Sequence, residues 1–353
     1  MSRSCLGPLL ALAVLATGCS SAPDETLSPG PGSSSSVSAT DSTTSPVTTT
    51  TGPPSDNSDP LAALDQLVPA SGAWLGSSVD FQDGNDDIGL LGTREVQIER
   101  EFDLFRDYRR WGQVLPDPAH AELAAQGRII MYSWKPDRPW AEIAAGAEDD
   151  EIRATAARFL EFGHHTMLAF HHEPEDEVGG QFGSAADFAA AFRHVHDIFE
   201  QEGAGAVVFV WALIGYRNWF SLYDELYPGD DVVDWIAWDP YNWAICRPLS
   251  PWESLEEASA PFYELATATW PDKPLMVAEF GTSEDPADPE AKANWFRDFA
   301  AMAEAARPAV RAWVYFDLGH PAIECHWRLD SSDRSILGFS EAAATPWLEP
   351  RAG

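Results

Sequence analysis

A chain of 353 residues, 45% of them hydrophobic, is long enough for one large domain or two small ones. Its 56 acidic residues against 22 basic ones give a formal net charge of −34, spread along the chain, which argues against nucleic acid and anionic lipid surfaces as partners. A neutral polymer is compatible with such a surface, and 15 Trp, 18 Phe and 8 Tyr supply rings that either build a core or stack on the apolar C–H faces of sugars.

The chain opens on Met1-Ser2-Arg3, then an apolar run from Leu9 to Ala16 that ends Thr17-Gly18-Cys19. Such a run is too short for a permanent membrane span and reads as an export signal over residues 1–18. It resembles a bacterial lipoprotein signal with Cys19 as the lipid-bearing residue, although Ala16 stands where such signals more often have Leu. Ordinary cleavage nearby is the alternative. Residues 19–60 are rich in Ser, Thr, Pro and Gly and contain no aromatic residue, so they cannot bury enough surface to offset ordering and are expected to form a disordered tether. The expected product is exported, monomeric, and either secreted or held at the outer face of the cell membrane by its lipid alone.

Residues 61–350 alternate β-rich runs with helical patterns, as a repeating βα unit does. Strands are predicted at Ala73–Val79, Leu104–Arg109, Arg128–Ser133, Thr166–His171, Ala206–Trp211, Val233–Trp238, Leu275–Phe280 and Val310–Phe316. The second competes with a helical pattern running from Glu95 to Trp111. Phe188, Phe192, Val195 and Phe199 form one helical stripe, and Trp295, Phe299 and Met302 another; both are expected to face a core. Gly203 and Gly205 stop the first of these helices. Eight strands in that order predict a (β/α)8 barrel, in which the C-terminal strand ends carry the chemistry.

Two of those ends carry a glutamate after an apolar run. The fourth reads Phe170-His171-His172-Glu173-Pro174-Glu175 and the seventh Val277-Ala278-Glu279-Phe280-Gly281. A buried carboxylate requires a partner or a function. Either glutamate alone is as readily explained by a structural ion pair. Two facing each other across one mouth suit glycosidic bond cleavage, one protonating the leaving oxygen while the other attacks the anomeric carbon.

With these residues the segments Phe192-Arg193-His194-Val195, Val208 to Ala212, Tyr227-Pro228-Gly229-Asp230-Asp231 through Ile236, Asp239-Pro240-Tyr241-Asn242-Trp243 and Lys273 to Gly281 follow one another in the order found in glycoside hydrolase family 26. The chain resembles that family, whose members include β-mannanases of the retaining barrel clan, over about residues 70–320. The resemblance implies Glu173 as acid/base and Glu279 as nucleophile. It also implies that His172 hydrogen-bonds near the sugar at the cleavage point and that Tyr241 holds the nucleophile. Where such mannanases follow the acid/base with Met-Asn-Gly and soon a Trp, this chain has Pro174-Glu175-Asp176-Glu177 and no Trp before Trp211, which bears on the polymer rather than the reaction.

Trp134, Trp211, Trp238, Trp243 and the run Trp313 to Phe316 stand at other strand ends, where side chains alternate between the mouth and the helices. Trp243 and Trp134 are the leading platforms for sugar, with Trp211 a third. Cys5 leaves with the signal, and Cys246 and Cys325 either pair, if both lie on loops at the barrel mouth, or remain separate thiols. Adjacent His171 and His172 point to opposite faces, and no His-Glu-x-x-His or Gly-rich phosphate loop occurs, so no metal or cofactor is implied. The expected function is endo-hydrolysis of β-1,4-mannan by double displacement. The same chemistry on mixed-linkage β-glucan or β-xylan, and a tethered lipoprotein that only binds carbohydrate, are the alternatives.

Overall fold

The computed structural model describes residues 67–79, 87–247, 249–320 and 325–348. The signal segment, Cys19 and the linker over 19–60 lie outside the described residues. Eight parallel strands form the barrel: β1 (Trp74–Val79), β2 (Leu104–Arg110), β3 (Ile129–Lys135), β4 (Thr166–Phe170), β5 (Val207–Leu213), β6 (Trp235–Trp238), β7 (Leu275–Thr282) and β8 (Val310–Asp317). Each pairs with the next in sequence, and β1 pairs with β8, so the sheet closes on itself. A two-residue strand, Tyr241–Asn242, continues β6 past Asp239-Pro240 and pairs with the upper end of β7. All eight predicted strands are present; of the helical pattern from Glu95 to Trp111 only Glu95–Ile98 are helical, as the end of α1 (Asp87–Ile98), and Leu104–Arg110 are strand.

Side-chain alternation sorts the strands into two cores. Leu104, Met131, Met167, Ala169, Val208, Val210, Trp235, Ala237, Met276, Ala278, Ala312 and Val314 fill the barrel. Their neighbours in sequence pack outward against the helices. The predicted stripe Phe188, Phe192, Val195 and Phe199 is buried on the helix Ala185–Gln201, which Ser184 and Asp187 start with a reciprocal capping box. Trp295, Phe299 and Met302 are likewise buried on the helix Ala291–Ala305.

The last strand is tied to the first helix by charge. Arg94 Nε of α1 lies 2.6 Å from Asp317 Oδ2 at the end of β8, and both residues are only 1% exposed. Asp317 Oδ1 accepts the Leu329 N–H at 2.6 Å, which anchors the chain leaving the barrel. Removing one partner strands a buried charge. Arg94→Met is therefore expected to cost about 3–5 kcal/mol in denaturant unfolding, while Arg94→Met with Asp317→Leu recovers a large part of that loss.

Candidate active site

Regular alternation fails at both predicted glutamates, and in each case the failure turns a carboxyl into the mouth. On β4, Met167 and Ala169 face inward. His171 then takes φ 47° and Glu173 φ 54°, both left-handed and both uncommon for residues with a Cβ. The first flip sends His171 backward, where it accepts the Trp140 indole N–H at Nδ1 over 2.8 Å and its ring meets Phe182. His172 is thereby turned inward, its ring 5.3 Å from that of Tyr108. The backbone N–H of Glu173 bonds to Ala212 O on β5 at 2.9 Å, fixing the turn. On β7 the pairing with β8 shifts register between Val277 and Phe280, so Ala278 and Glu279 both face the barrel side. A bulge of this kind re-aims a side chain without ending the strand.

Glu279 is gripped at both oxygens. Tyr108 donates to Oε1 at 2.5 Å and Tyr241 to Oε2 at 2.6 Å. Arg106 Nη1 lies 3.1 Å from Oε1 and also donates to Ala278 O at 2.8 Å, while its Nε donates to Ser133 Oγ at 3.0 Å. Burial opposes the Arg106 charge, but Tyr108, Glu279 and Asp239 around it outweigh that and hold it protonated. Burial, and with it the Glu279 charge, keeps the Tyr108 and Tyr241 phenols protonated and therefore donating.

Glu173 is the contrasting partner. Its side chain is half-buried, and no hydrogen bond to its carboxyl is made among the described residues. Burial first, then the charges of Glu279, Glu175 and Asp176, push it well above the usual carboxyl range, so it retains its proton. Carboxyl oxygens of Glu173, Asp239 and Glu279 lie within 4.8 Å of one another. Asp239 is 1% exposed, neither of its oxygens has a hydrogen-bond partner among the described residues, and burial followed by Glu279 pushes it well up as well. Three carboxyl groups at this spacing are a set that a cation fits, and here the Arg106 guanidinium already stands among them, 3.1 Å from Glu279 and 3.7 Å from Asp239. Burial holds His172 well below its ordinary value, with Arg106 and Lys135 adding to this, so it meets a ligand as a neutral imidazole.

The predicted residues separate. Glu173, Glu279, His172 and Tyr241 meet at the mouth, and Trp243 stands beside them, its indole N–H on the Tyr216 hydroxyl at 2.5 Å and Arg247 stacked 3.4 Å from its ring centroid. Trp134 and Trp211 do not. Trp134 is fully buried and stacks on Trp111 at 4.1 Å, and Trp211 is fully buried among Tyr223, Tyr227 and Trp270. Both have the outward parity of their strands, so neither is a sugar platform. Trp238 and Trp313 are core residues for the same reason, whereas Phe316 faces Tyr108 and Tyr241, 6.0 Å from each ring. Cys246 and Cys325 are bonded to each other.

Sequence reasoning does not single out Arg106, Tyr108, Asp239, Tyr216 or Trp327. Arg106 and Tyr108 carry a usable signal, since they share the inward parity of Leu104 on the second strand. Asp239 directly precedes the Pro-Tyr-Asn-Trp segment. Tyr216 and Trp327 sit on irregular loops and carry no comparable signal.

A (β/α)8 barrel with paired glutamates at the ends of its fourth and seventh strands defines the class. Among solved structures, the fold is that of glycoside hydrolase family 26 barrels. A family 26 β-mannanase from Bacteroides ovatus superposes with a TM-score of 0.58 at 14% identity, over 83% of this chain and 94% of that one. The catalytic domain of an endo-β-1,4-mannanase from Bacillus sp. JAMB-750 gives 0.57 at 13%, over 83% and 93%. A ruminal endo-β-1,4-mannanase gives 0.59 at 12%, over 78% and 64%. In sequence, the chain is 26% identical over 284 residues to Endoglucanase H of Acetivibrio thermocellus, covering 77% of this chain and 30% of that protein. The chain thus spans about a third of the length of that curated relative. No family model matches the sequence.

Glu175 supplies a test of the electrostatics. It is fully buried, burial pushes it up to about 7, and its Oε1 accepts from Ile214 N–H at 2.8 Å and the Tyr223 hydroxyl at 2.9 Å. Because these donors all use Oε1, Glu175→Gln preserves them and removes only the charge. Above pH 7 that charge helps keep Glu173 protonated. In a reaction that uses Glu173 as proton donor, the rate falls as pH rises through its shifted value. Glu175→Gln is therefore expected to move the alkaline limb of the kcat/KM profile to lower pH, read on a substrate that needs leaving-group protonation.

Proposed function

We propose that this protein is a retaining endo-β-glycanase in which Glu279 is the nucleophile and Glu173 the acid/base. The observation that carries the reading is the pair itself: oxygens within 4.8 Å, one group gripped by three donors and the other holding a proton. Retaining enzymes need the carboxyl groups ~5–5.5 Å apart, whereas inverting enzymes leave ~6.5–9.5 Å for a water. The short spacing supports double displacement.

In the first step a Glu279 oxygen attacks the anomeric carbon while the Glu173 proton passes to the leaving glycosidic oxygen, which departs as an alcohol. The covalent ester removes the Glu279 charge, and with it one of the forces keeping Glu173 protonated. Glu173, now a carboxylate, takes a proton from water as that water attacks the same carbon, and Glu279 is released. Tyr108, Tyr241 and Arg106 keep Glu279 aimed throughout, and neutral His172 lines the same pocket beside Tyr108.

For the polymer we place a β-glucan backbone ahead of β-mannan. The sequence match is to an endoglucanase at 26% identity, while the mannanase structures stand at 12–14% and share the fold. The segment after Glu173, Pro174-Glu175-Asp176-Glu177, forms a helical turn whose Glu175 is buried rather than offered to a sugar. Mannan is the second reading, favoured by those same structural neighbours. Export is supported by the leader over residues 1–18 and by the Cys246–Cys325 bond, which suits an oxidising compartment. Anchoring through Cys19 belongs to the same proposal.

Reducing-end release from a panel of β-glucan, β-mannan and β-xylan tests the substrate. Product from mannan alone would put mannan first, and binding without product from any of them would favour a carbohydrate-binding protein. Proton NMR of the first product is expected to show the β-anomer, and the α-anomer would exclude double displacement. Glu279→Ala is expected to abolish turnover. Glu173→Ala should retain activity on aryl glycosides with good leaving groups and gain rate with azide, because those substrates need no protonation and azide needs no base. Equal loss on activated and natural substrates would overturn the role of Glu173.

A further inference from the structure

Behind Tyr241 lies a small aromatic cluster that belongs to neither main core. Tyr241, Trp327 and Cys325 form it, with Trp243, Phe316 and Cys246 packed on its edge. The Trp327 ring is 4.7 Å from that of Tyr241, 5.4 Å from Trp243 and 5.8 Å from Phe316. It rests on β7 only two residues past Glu279. A Cβ at Gly281 would stand 2.9 Å from Trp327 Cδ1 and 3.1 Å from Tyr241 Cε1, so the absence of a side chain there lets both rings close on the strand.

The segment that carries Trp327 has little ladder structure to hold it. Its hairpin pairs Gly319 with His326 and His320 with Cys325, a ladder too short for independent stability. The Trp327 N–H bonds to Leu318 O at 3.0 Å, and the Tyr315 hydroxyl donates to the Trp327 carbonyl. The covalent link is the bond from Cys325 to Cys246, with Cα atoms 5.0 Å apart and a sequence separation of 79. It joins this hairpin to the loop that follows Tyr241 and Trp243.

We infer that the Cys246–Cys325 cross-link is a positioning element of the catalytic site, seating Trp327 behind Tyr241 and so fixing the phenol that donates to Glu279. The inference rests on the glycanase reading above. Cys246 is partly exposed, so a small dithiol has access to it. Reduction transfers two electrons and two protons from the dithiol, breaks the S–S bond to leave two thiols, and converts the reductant to its own cyclic disulfide. The contacts of Arg106 and Tyr108 to Glu279 and the Trp243–Tyr216 bond do not run through the cross-link, so reduction is expected to leave them in place. The loss therefore falls on the chemical step rather than on binding.

The test uses the full chain, oxidised and reduced under native conditions, with thiols counted and folding checked by a thermal scan. An aryl β-glycoside is the substrate, and wild type is compared with Tyr241→Phe. Reduction is expected to lower kcat about tenfold or more, as small misplacements of catalytic groups do, with KM little changed and activity regained on reoxidation. In Tyr241→Phe, reduction should cost almost nothing further, because the link acts through that phenol. A cross-link that only stabilises the fold would lower the melting temperature and leave kcat alone. Unchanged kcat in folded, fully reduced protein overturns the inference, and so does an equal loss in Tyr241→Phe. Should reduction unfold the chain at the assay temperature, Trp327→Leu with the bond intact takes its place and must show the same kcat loss and the same coupling to Tyr241→Phe; full activity overturns the inference. The two readings fail separately: oxidised protein inert on every glycan defeats the glycanase assignment, whereas oxidised protein that is active and indifferent to reduction defeats only this one.

Discussion

The mouth of the barrel depends on holding carboxyl groups within 4.8 Å of one another in a buried setting that contains one guanidinium. Three carboxylates against Arg106 would leave an uncompensated net negative charge away from water, a cost of several kcal/mol per ion. The structure avoids this by unequal treatment. Glu279 receives the donors and the cation. Glu173 and Asp239 receive none of the donors, and burial and the neighbouring charge push both well above the usual carboxyl range. The proposed nucleophile and acid are thus two identical side chains, and the difference between them lies in the neighbours that surround each.

That allocation is made by the backbone. Alternation on an undistorted strand would send His171 to the mouth in place of His172 and Glu279 outward between Ala278 and Phe280. The left-handed residues at His171 and Glu173 and the bulge before Phe280 correct both. Strain at two such positions is tolerated because well-packed neighbours over-determine them. Trp140 and Phe182 hold the displaced His171, and Ala212 holds the Glu173 backbone. The Arg94–Asp317 pair and the outer aromatic core supply the rigidity against which these departures are set.

This division also explains what the sequence makes legible. β-rich runs separated by helical stripes suffice for the eight strands, because burial on both faces leaves apolar runs that few other elements share. The two glutamates stand out because a charge at the end of such a run has no bland explanation when it occurs twice. The aromatic platforms are harder to read. Whether Trp134 and Trp211 face the mouth turns on a single residue of register, and a one-residue slip sends every side chain to the other face. Arg106 and Tyr108 are within reach of the same parity argument, and the competing helical pattern around Glu95 to Trp111 obscures it. Trp327 lies beyond local pattern, since its contact with Tyr241 joins residues 86 apart in sequence.

On the proposed function, reaction and selection occupy different parts of the molecule. The groups proposed to break the bond stand on or directly after β2, β4, β6 and its extension, and β7, where closure of the sheet fixes each to its neighbours. Trp243, with Tyr216 and Arg247, stands on loops joined by side-chain contacts. Loops tolerate substitution and insertion far better than closed barrel strands do. A change of polymer then requires altering loops such as the segment after Glu173, while the carboxyl pair and its donors stay fixed. This arrangement accounts for a chain that shares a barrel with mannanases at 12–14% identity yet is nearer in sequence to an endoglucanase. The aromatic cluster around Trp327 is where the two parts meet, because it backs the loop of Trp243 and the phenol that donates to Glu279 at once.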